Sequence, residues 1–190
     1  MPQPSFSADC APRRLLAALC AALGCVLLAA ATAFAAACPG AGETADAKAL
    51  VAAATALLSA APRDVPGAAA CLEAAYGAGD PGAAVVRGQL ALEGADGTPD
   101  PTLAVAWFFR AARAGSPQGY LAVGQALLAG RGVPADPYWA YWHLGRALRL
   151  PGLSPGEAKA ARDAAATAAR ELTPAQRATL DANLDGRAAP

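Results

Sequence analysis

His143 is the residue of this sequence best suited to acid–base chemistry, since it is the only histidine in the chain. A serine hydrolase needs a serine and an aspartate as well, and Ser116 and Asp136 supply these residue types. Both, however, directly precede a proline, Pro117 and Pro137, as a helix N-cap does when proline takes the first helical position. The sequence therefore predicts capping residues here, and a core or half-buried position for His143.

Metal, cofactor and nucleic-acid chemistry lack the residues they need. One histidine, with the two cysteines beyond the N-terminal segment, does not supply the ligands of a zinc site. No glycine-rich phosphate loop follows a strand, because the sequence has no strand pattern at all. The 15 basic and 15 acidic residues cancel, and without a basic patch nucleic acid is not expected as a partner. We predict a protein that is not an enzyme and has no metal, cofactor or catalytic residue.

Aromatic residues are concentrated in one part of the chain. Eight of the nine beyond residue 37 fall between Trp107 and Trp142. Tyr138, Trp139, Tyr141 and Trp142 are too close in sequence to point into one core stripe, and Trp139 and Trp142 share a helix face. Because exposed aromatic patches mark binding sites, Tyr138, Trp139 and Trp142 are candidate partner-binding residues. The alternative is that the C-terminal helices fold over this face and bury it.

The first 37 residues have the three parts of a secretory signal. Arg13 and Arg14 precede an apolar run over residues 15–37, which ends in the small residues Ala35-Ala36-Ala37. We predict cleavage and a periplasmic or secreted bacterial protein. Two alternatives stay open, since the run is long enough for an uncleaved anchor, and the alanines before Cys38 resemble a lipobox that would make Cys38 a lipidated first residue. The arginine pair also resembles a twin-arginine signal.

Two cysteines, Cys38 and Cys71, remain once the predicted signal has been removed. In an oxidising compartment they suggest one disulfide, which would tie the N-terminus to the first helical pair. The alternative is that Cys71 is a small buried hydrophobic residue without a partner. Lipidation of Cys38 would require that alternative.

A 36-residue repeat organises the middle of the chain. When the sequence is shifted by 36 residues against itself without a gap, glycine, aspartate and proline positions coincide in one frame. The matched pairs include Gly88 with Gly124, Gln89 with Gln125, Gly94 with Gly130, Asp100 with Asp136, Pro101 with Pro137, and Arg110 with Arg146. Alanine-rich composition could produce alanine matches by chance, but it would not readily produce these.

Each repeat unit carries the start and stop signals of two helices. The starts combine a cap with a following proline, at Asp80-Pro81, Asp100-Pro101, Ser116-Pro117 and Asp136-Pro137. Gly94, Gly115 and Gly130 are the predicted stops. Ser154-Pro155 and Thr173-Pro174 predict two further helices. Glycine inside a helix, at 88 and 124, is expected where the paired helix approaches closely, with Trp107 filling the space nearby.

These residues resemble the Sel1-like repeat family over about residues 65–150. Matches to its motif are Gly88, Gly94, Asp100, Ala104, Trp107, Ala111, Ala112 and Gly115, then Gly124, Gly130, Gly132, Val133, Asp136, Ala140 and Ala147. His143 stands where the motif has tryptophan, and Trp142 lies one position early. The resemblance implies an all-α fold, a right-handed superhelical solenoid of Sel1/TPR-like helical pairs with a C-terminal helical cap.

The predicted organisation has four segments: a signal peptide (1–37), an N-terminal capping helix (38–64), repeats (65–150, in units of about 65–79, 80–115 and 116–150), and a C-terminal helical cap with a mobile tail (151–190). The resemblance implies a non-catalytic scaffold or adaptor for a protein partner. The predicted signal puts that partner in the cell envelope and allows membrane contact only through the N-terminal signal, anchor or lipid.

Two other functions are open. One is a cell-wall-related enzyme or penicillin-binding activity, credited to cysteine-rich exported relatives that carry a cysteine pair in each repeat. The second and third units here contain no cysteine. The other is a peptidoglycan or exopolysaccharide assembly factor whose aromatic residues stack on sugar.

Overall fold

The computed structural model describes Cys38, residues 46–95 and residues 97–186. The predicted signal peptide and the last four residues of the predicted tail lie outside the described residues. Within the described part there are eight α-helices and no strand: α1 Ala47–Ser59, α2 Val65–Gly77, α3 Pro81–Glu93, α4 Pro101–Arg113, α5 Pro117–Ala129, α6 Pro137–Arg149, α7 Pro155–Arg170 and α8 Pro174–Leu184. The prediction of an all-α fold is confirmed.

A capping side chain begins each of these eight helices by accepting a hydrogen bond from a backbone N–H of the first turn. The caps spaced by 36 residues, Asp64, Asp100 and Asp136, accept at 2.9, 2.9 and 3.0 Å. Ser116 caps α5 in the same way, at 3.1 Å from the backbone nitrogen of Gly119. Capping thus accounts for Ser116 and Asp136, as the sequence predicted.

Glycine ends the predicted helices because it adopts a left-handed backbone without a Cβ clash. Gly94 and Gly130 have φ of 67° and 64° and are the C-caps of α3 and α5. α4 ends at Arg113, with Ala114 as its C-cap, and Gly115 follows at φ 87°. The predicted stops are therefore confirmed.

The helices pack as consecutive pairs, α1 with α2, α3 with α4 and α5 with α6, and each pair packs on the next. The first helices of successive units, α3, α5 and α7, also contact one another in a row, while α8 packs on α6. The result is a helical solenoid, in which stacking buries a continuous core that no single pair could bury alone.

Close approach between paired helices occurs at Gly88 and Gly124, as predicted, but Trp107 is not the residue that fills the space. A Cβ at Gly88 would lie 2.5 Å from Cε1 of Phe108 and 3.0 Å from the carbonyl oxygen of Ala104. Along a helix, Ala104 and Phe108 are one turn apart and face α3, whereas Trp107 points about 100° away from Phe108. The expectation for Trp107 was wrong for that reason.

The disulfide between Cys38 and Cys71 is present, with the two Cα atoms 5.2 Å apart. Both cysteines are buried, in a cluster that also contains Leu50 of α1 and Leu72 of α2. The bond therefore anchors the residue that follows the predicted signal to the core of the first helical pair. None of the helices α1 to α8, which are those of the described residues, has the length and apolar character of a membrane span.

Candidate functional site

The first turn of α6 positions the predicted binding residues. Asp136 accepts a hydrogen bond from the backbone nitrogen of Trp139 at 3.0 Å, so the helix begins at Pro137. Tyr138 and Trp139 then lie in the first turn, and Trp142 lies one turn later on the same side as Trp139. A local capping contact thus sets where these rings leave the helix.

Six rings form an aromatic cluster made of Phe109, Tyr120, Tyr138, Trp139, Trp142 and His143. Trp139 and Trp142 meet edge to face, with ring centroids 6.1 Å apart. Tyr138 contacts Trp139 at 5.6 Å, and Tyr120 contacts Trp142 at 6.0 Å. Trp139 is 50% exposed, whereas Tyr138 and Trp142 are half-buried. The cluster therefore presents one large exposed ring supported by its neighbours.

The C-terminal helices leave Trp139 uncovered because they pack on other faces of α6. Leu144 and Ala147 join a buried cluster with Ala161 of α7. On the α8 side, the hydroxyl of Tyr141 donates to Asp181 at 2.9 Å. Burial, followed by this hydrogen bond, raises the pKa of the Tyr141 phenol. The sequence left open whether the C-terminal helices bury this aromatic face. In the structure they do not bury Trp139, which is exposed.

His143 lies half-buried between rings, as the sequence predicted. Its ring centroid is 5.0 Å from that of Trp142, 5.6 Å from Phe109 and 5.7 Å from Tyr120. Burial lowers its pKa from 6.5 to about 4, because the charged imidazolium is poorly solvated there. Its buried Nδ1 has no hydrogen-bond partner among the described residues. His143 is therefore a neutral member of the aromatic cluster at physiological pH.

The residues considered for a catalytic triad are not hydrogen-bonded to one another. The hydroxyl of Ser116 accepts from Gly119 as a cap, and Asp136 accepts from Trp139 in the same role. Neither is hydrogen-bonded to His143 in the described part of the chain. The described residues also contain no group of three or more His, Cys, Asp or Glu side chains that could hold a metal ion.

A separate groove follows the first helices of the repeats, α3, α5 and α7. It encloses about 530 Å³ and is lined by Val85, Gln89, Leu121 and Gln125 among others. A second depression of about 370 Å³ shares Gln89 and Gln125 with it. These glutamines are equivalent in the 36-residue frame, so successive repeats contribute matching side chains to the groove. The lining from α3 and α5 consists of neutral amides and apolar side chains, and Glu157 of α7 adds one acidic group.

Trp107 of α4 occupies a different environment from His143, its equivalent in the next unit. The tryptophan is 6% exposed and meets Tyr76 of α2 edge to face at 6.1 Å. The guanidinium of Arg110 stacks over its ring at 4.2 Å. Trp107 therefore fills the space between the second helices α2 and α4. In the next unit, the rings of Phe109, His143 and Tyr120 meet at the equivalent position.

One surface residue was missed from the sequence. Leu103 of α4 is 36% exposed, and with Trp139 it makes up the exposed large hydrophobic residues of the described chain. It lies 36 residues before Trp139. The repeat frame contained this signal, but leucine in an amphipathic helix is ordinarily assigned to the core.

Comparison with solved structures shows what kind of solenoid this is. A Sel1 repeat protein from Oxalobacter formigenes is similar with a TM-score of 0.53 and 25% identity, over 62% of this chain and 89% of that one. The chain has the Sel1-like repeat fold. A protective antigen of uropathogenic Escherichia coli strains, described as displaying an SLR fold, is similar with a TM-score of 0.61 and 18% identity.

That second similarity covers 73% of this chain but only 29% of the Escherichia coli protein, so this chain spans less than a third of its length. No sequence model of a protein family matches the chain, and no curated protein is similar to it in sequence.

The two similar structures confirm the Sel1-like repeat that the glycine and aspartate spacing had indicated.

Proposed function

We propose that this Sel1-like repeat protein is an exported, non-catalytic scaffold that binds a protein partner through the aromatic cluster of α6. The observation that carries the proposal is the exposed ring of Trp139, which the solenoid core does not use. Tryptophan and tyrosine are the residues most often found at the energetic centre of protein interfaces. A half-exposed tryptophan held by two neighbouring rings is already ordered for binding, which reduces the entropy lost on association.

Export is supported by the disulfide, because such bonds persist in oxidising compartments such as the bacterial periplasm. The sulfur of Cys38 that lipoprotein processing would modify is joined to Cys71 in the structure. We therefore favour cleavage before Cys38 with the thiol left free to pair. Mass spectrometry of the mature chain tests this, with a start between Ala36 and Cys38 expected. A diacylglyceryl group on Cys38 would contradict it, as would a chain that retains Met1.

The partner surface is tested by replacing Trp139 with alanine. The immobilised chain is used to capture envelope proteins, which are quantified with and without the substitution. We expect Trp139→Ala to lower the affinity for the captured partner by at least about thirtyfold, which corresponds to an interface residue worth about 2 kcal/mol. Melting should change little, because half of this side chain is already in water.

The matched control changes the other repeated surface. Gln89→Ala combined with Gln125→Ala alters two exposed, equivalent residues of the groove and leaves α6 intact. Capture should be unchanged in this control. Capture lost from the glutamine variant but kept by Trp139→Ala would place the partner in the groove. If the Trp139→Ala protein captures the partner normally but has a much lower melting temperature, the aromatic cluster has a packing role and the proposal that it binds the partner is wrong.

A further inference from the structure

The exposed face of α6 has a counterpart on α4. Leu103 and Trp139 are 36 residues apart and both are exposed, at 36% and 50%. Seven residues after each, at Arg110 and Arg146, an exposed arginine occupies the same helical stripe. Seven residues of helix correspond to about 10 Å. We name these four residues the outward face: an apolar pair, and a basic pair about 10 Å along the helices.

The outward face has no negative charge of its own. No aspartate or glutamate occurs between Pro101 and Arg113 or between Pro137 and Arg149. The aspartates nearest in sequence are the N-caps, which are at the opposite ends of these helices from the arginines. Neither Arg110 nor Arg146 forms an ion pair with a residue in the part of the chain that the structure describes. No acidic side chain in that part of the chain neutralises either charge, although the Arg110 guanidinium lies over the ring of Trp107.

The chain itself shows which chemistry the C-terminal end of α6 accepts on a neighbouring side. Arg149, one turn beyond Arg146, binds the carboxylate of Asp185 with its Nη2 at 2.6 Å and its Nε at 3.2 Å. Beside this ion pair, the buried side chain of Leu184 lies over Gly145. An apolar residue followed by an acidic one thus docks the end of α8 on α6. The same pair of residue types suits the outward face, where arginine and a large apolar side chain also occur together.

We propose that the outward face binds an acidic, amphipathic segment of the partner, with apolar side chains on Leu103 and Trp139 and carboxylates on Arg110 and Arg146. This inference rests on the proposed function and specifies the partner. Arginine complements carboxylates in geometry as well as charge. The helix dipole favours cations at the ends of α4 and α6, but it does not require exposed apolar residues at equivalent positions of two repeats.

The experiment measures binding of a fluorescein-labelled helical peptide built from alanine, leucine and glutamate, with leucine and glutamate on one face. The full exported chain is used with its disulfide intact, and fluorescence anisotropy gives the Kd. The same peptide with lysine in place of glutamate serves as the charge control. We expect the glutamate peptide to bind, more weakly as salt is raised, and the lysine peptide not to bind.

Substitutions then assign the residues. Arg110→Gln with Arg146→Gln should weaken binding about fivefold, which is about 1 kcal/mol for two exposed ion pairs. The matched control, Arg131→Gln with Arg162→Gln, removes the same charge from exposed positions elsewhere and should leave the Kd unchanged. Since Arg110 also stacks on a tryptophan, Arg146→Gln alone must weaken binding too, at unchanged melting temperature.

Three results would overturn the inference: equal binding of the lysine peptide, equal weakening by the control pair, or no effect of the outward-face arginines. Binding to phosphatidylglycerol vesicles without binding to the glutamate peptide would overturn it in favour of an anionic membrane surface. These outcomes are separate from failure of the proposed function. If the arginine variants behave as the unchanged chain while Trp139→Ala still loses its envelope partner, only the acidic chemistry is wrong.

Discussion

The glycines inside α3 and α5 give the sharpest stability prediction. Replacing Gly88 with alanine brings a methyl carbon to 2.5 Å from the ring of Phe108 and 3.0 Å from the carbonyl oxygen of Ala104. Carbon atoms in packed proteins are normally about 3.5–4.0 Å apart, so the ring or the helix must move. Overpacking of this kind costs about 1–3 kcal/mol, whereas the better helix propensity of alanine returns about 1 kcal/mol. Because the backbone carbonyl of Ala104 cannot rotate away, we take the upper half of that cost, about 2–3 kcal/mol. After the gain in helix propensity, Gly88→Ala should lower the free energy of unfolding by about 1–2 kcal/mol.

Gly124→Ala should have a smaller effect of the same sign, about 0.5–1 kcal/mol. Its methyl group would meet Leu144 at 2.5 Å, but the leucine can rotate, and the backbone oxygen of Ala140 is farther away at 3.3 Å. Gly77→Ala is the matched control, because this exposed glycine ends α2 and a Cβ there would meet nothing within 4 Å. The control should raise the stability by about 0.5 kcal/mol through helix propensity alone.

Urea denaturation of the oxidised chain, followed by far-UV circular dichroism, measures all three variants. The midpoints should fall in the order Gly77→Ala, unchanged chain, Gly124→Ala, Gly88→Ala, and the m-values should agree if each state stays equally compact. If Gly88→Ala or Gly124→Ala stabilised the protein as much as Gly77→Ala does, the reasoning would be refuted. It would mean that the paired helices do not approach at these glycines.

Three further predictions follow from other contacts. Burial lowers the pKa of His143 to about 4, so the unfolded state binds a proton first as the pH falls below 6.5. The free energy of unfolding should therefore drop by about 2–3 kcal/mol between pH 7 and about pH 4.5. Urea midpoints measured for His143→Phe should lack that part of the pH dependence. Mutating Cys38 and Cys71 to serine removes a closed loop of about 34 residues and should cost about 3–4 kcal/mol, and thiol titration of the unchanged, denatured chain should find no free thiol in this pair. Asp100→Ala and Asp136→Ala should each lower stability by about 1 kcal/mol through loss of the cap, whereas the corresponding asparagine variants should be nearly unchanged.

Much of the local structure of this protein was readable from the sequence. A cap acts on backbone groups only two or three residues away, so Asp100-Pro101 and Ser116-Pro117 predicted helix starts without any knowledge of the neighbours. A left-handed glycine acts just as locally, which is why Gly94 and Gly130 predicted helix ends. The 36-residue spacing of such signals then indicated a stacked solenoid, because repeated helical pairs bury a continuous core by stacking on their neighbours.

Tertiary structure alone decided which ring faces which neighbour. Trp107 and Phe108 are adjacent in the chain and both are buried, so no count of apolar spacing could tell which one lies against Gly88. Trp139 and Leu103 are exposed for a related reason. A helix has several sides, and how many of them are covered depends on where the next helices pack. For α6 that was settled by α8, which Tyr141 and Arg149 hold on another side through contacts 40 and 36 residues away in the chain.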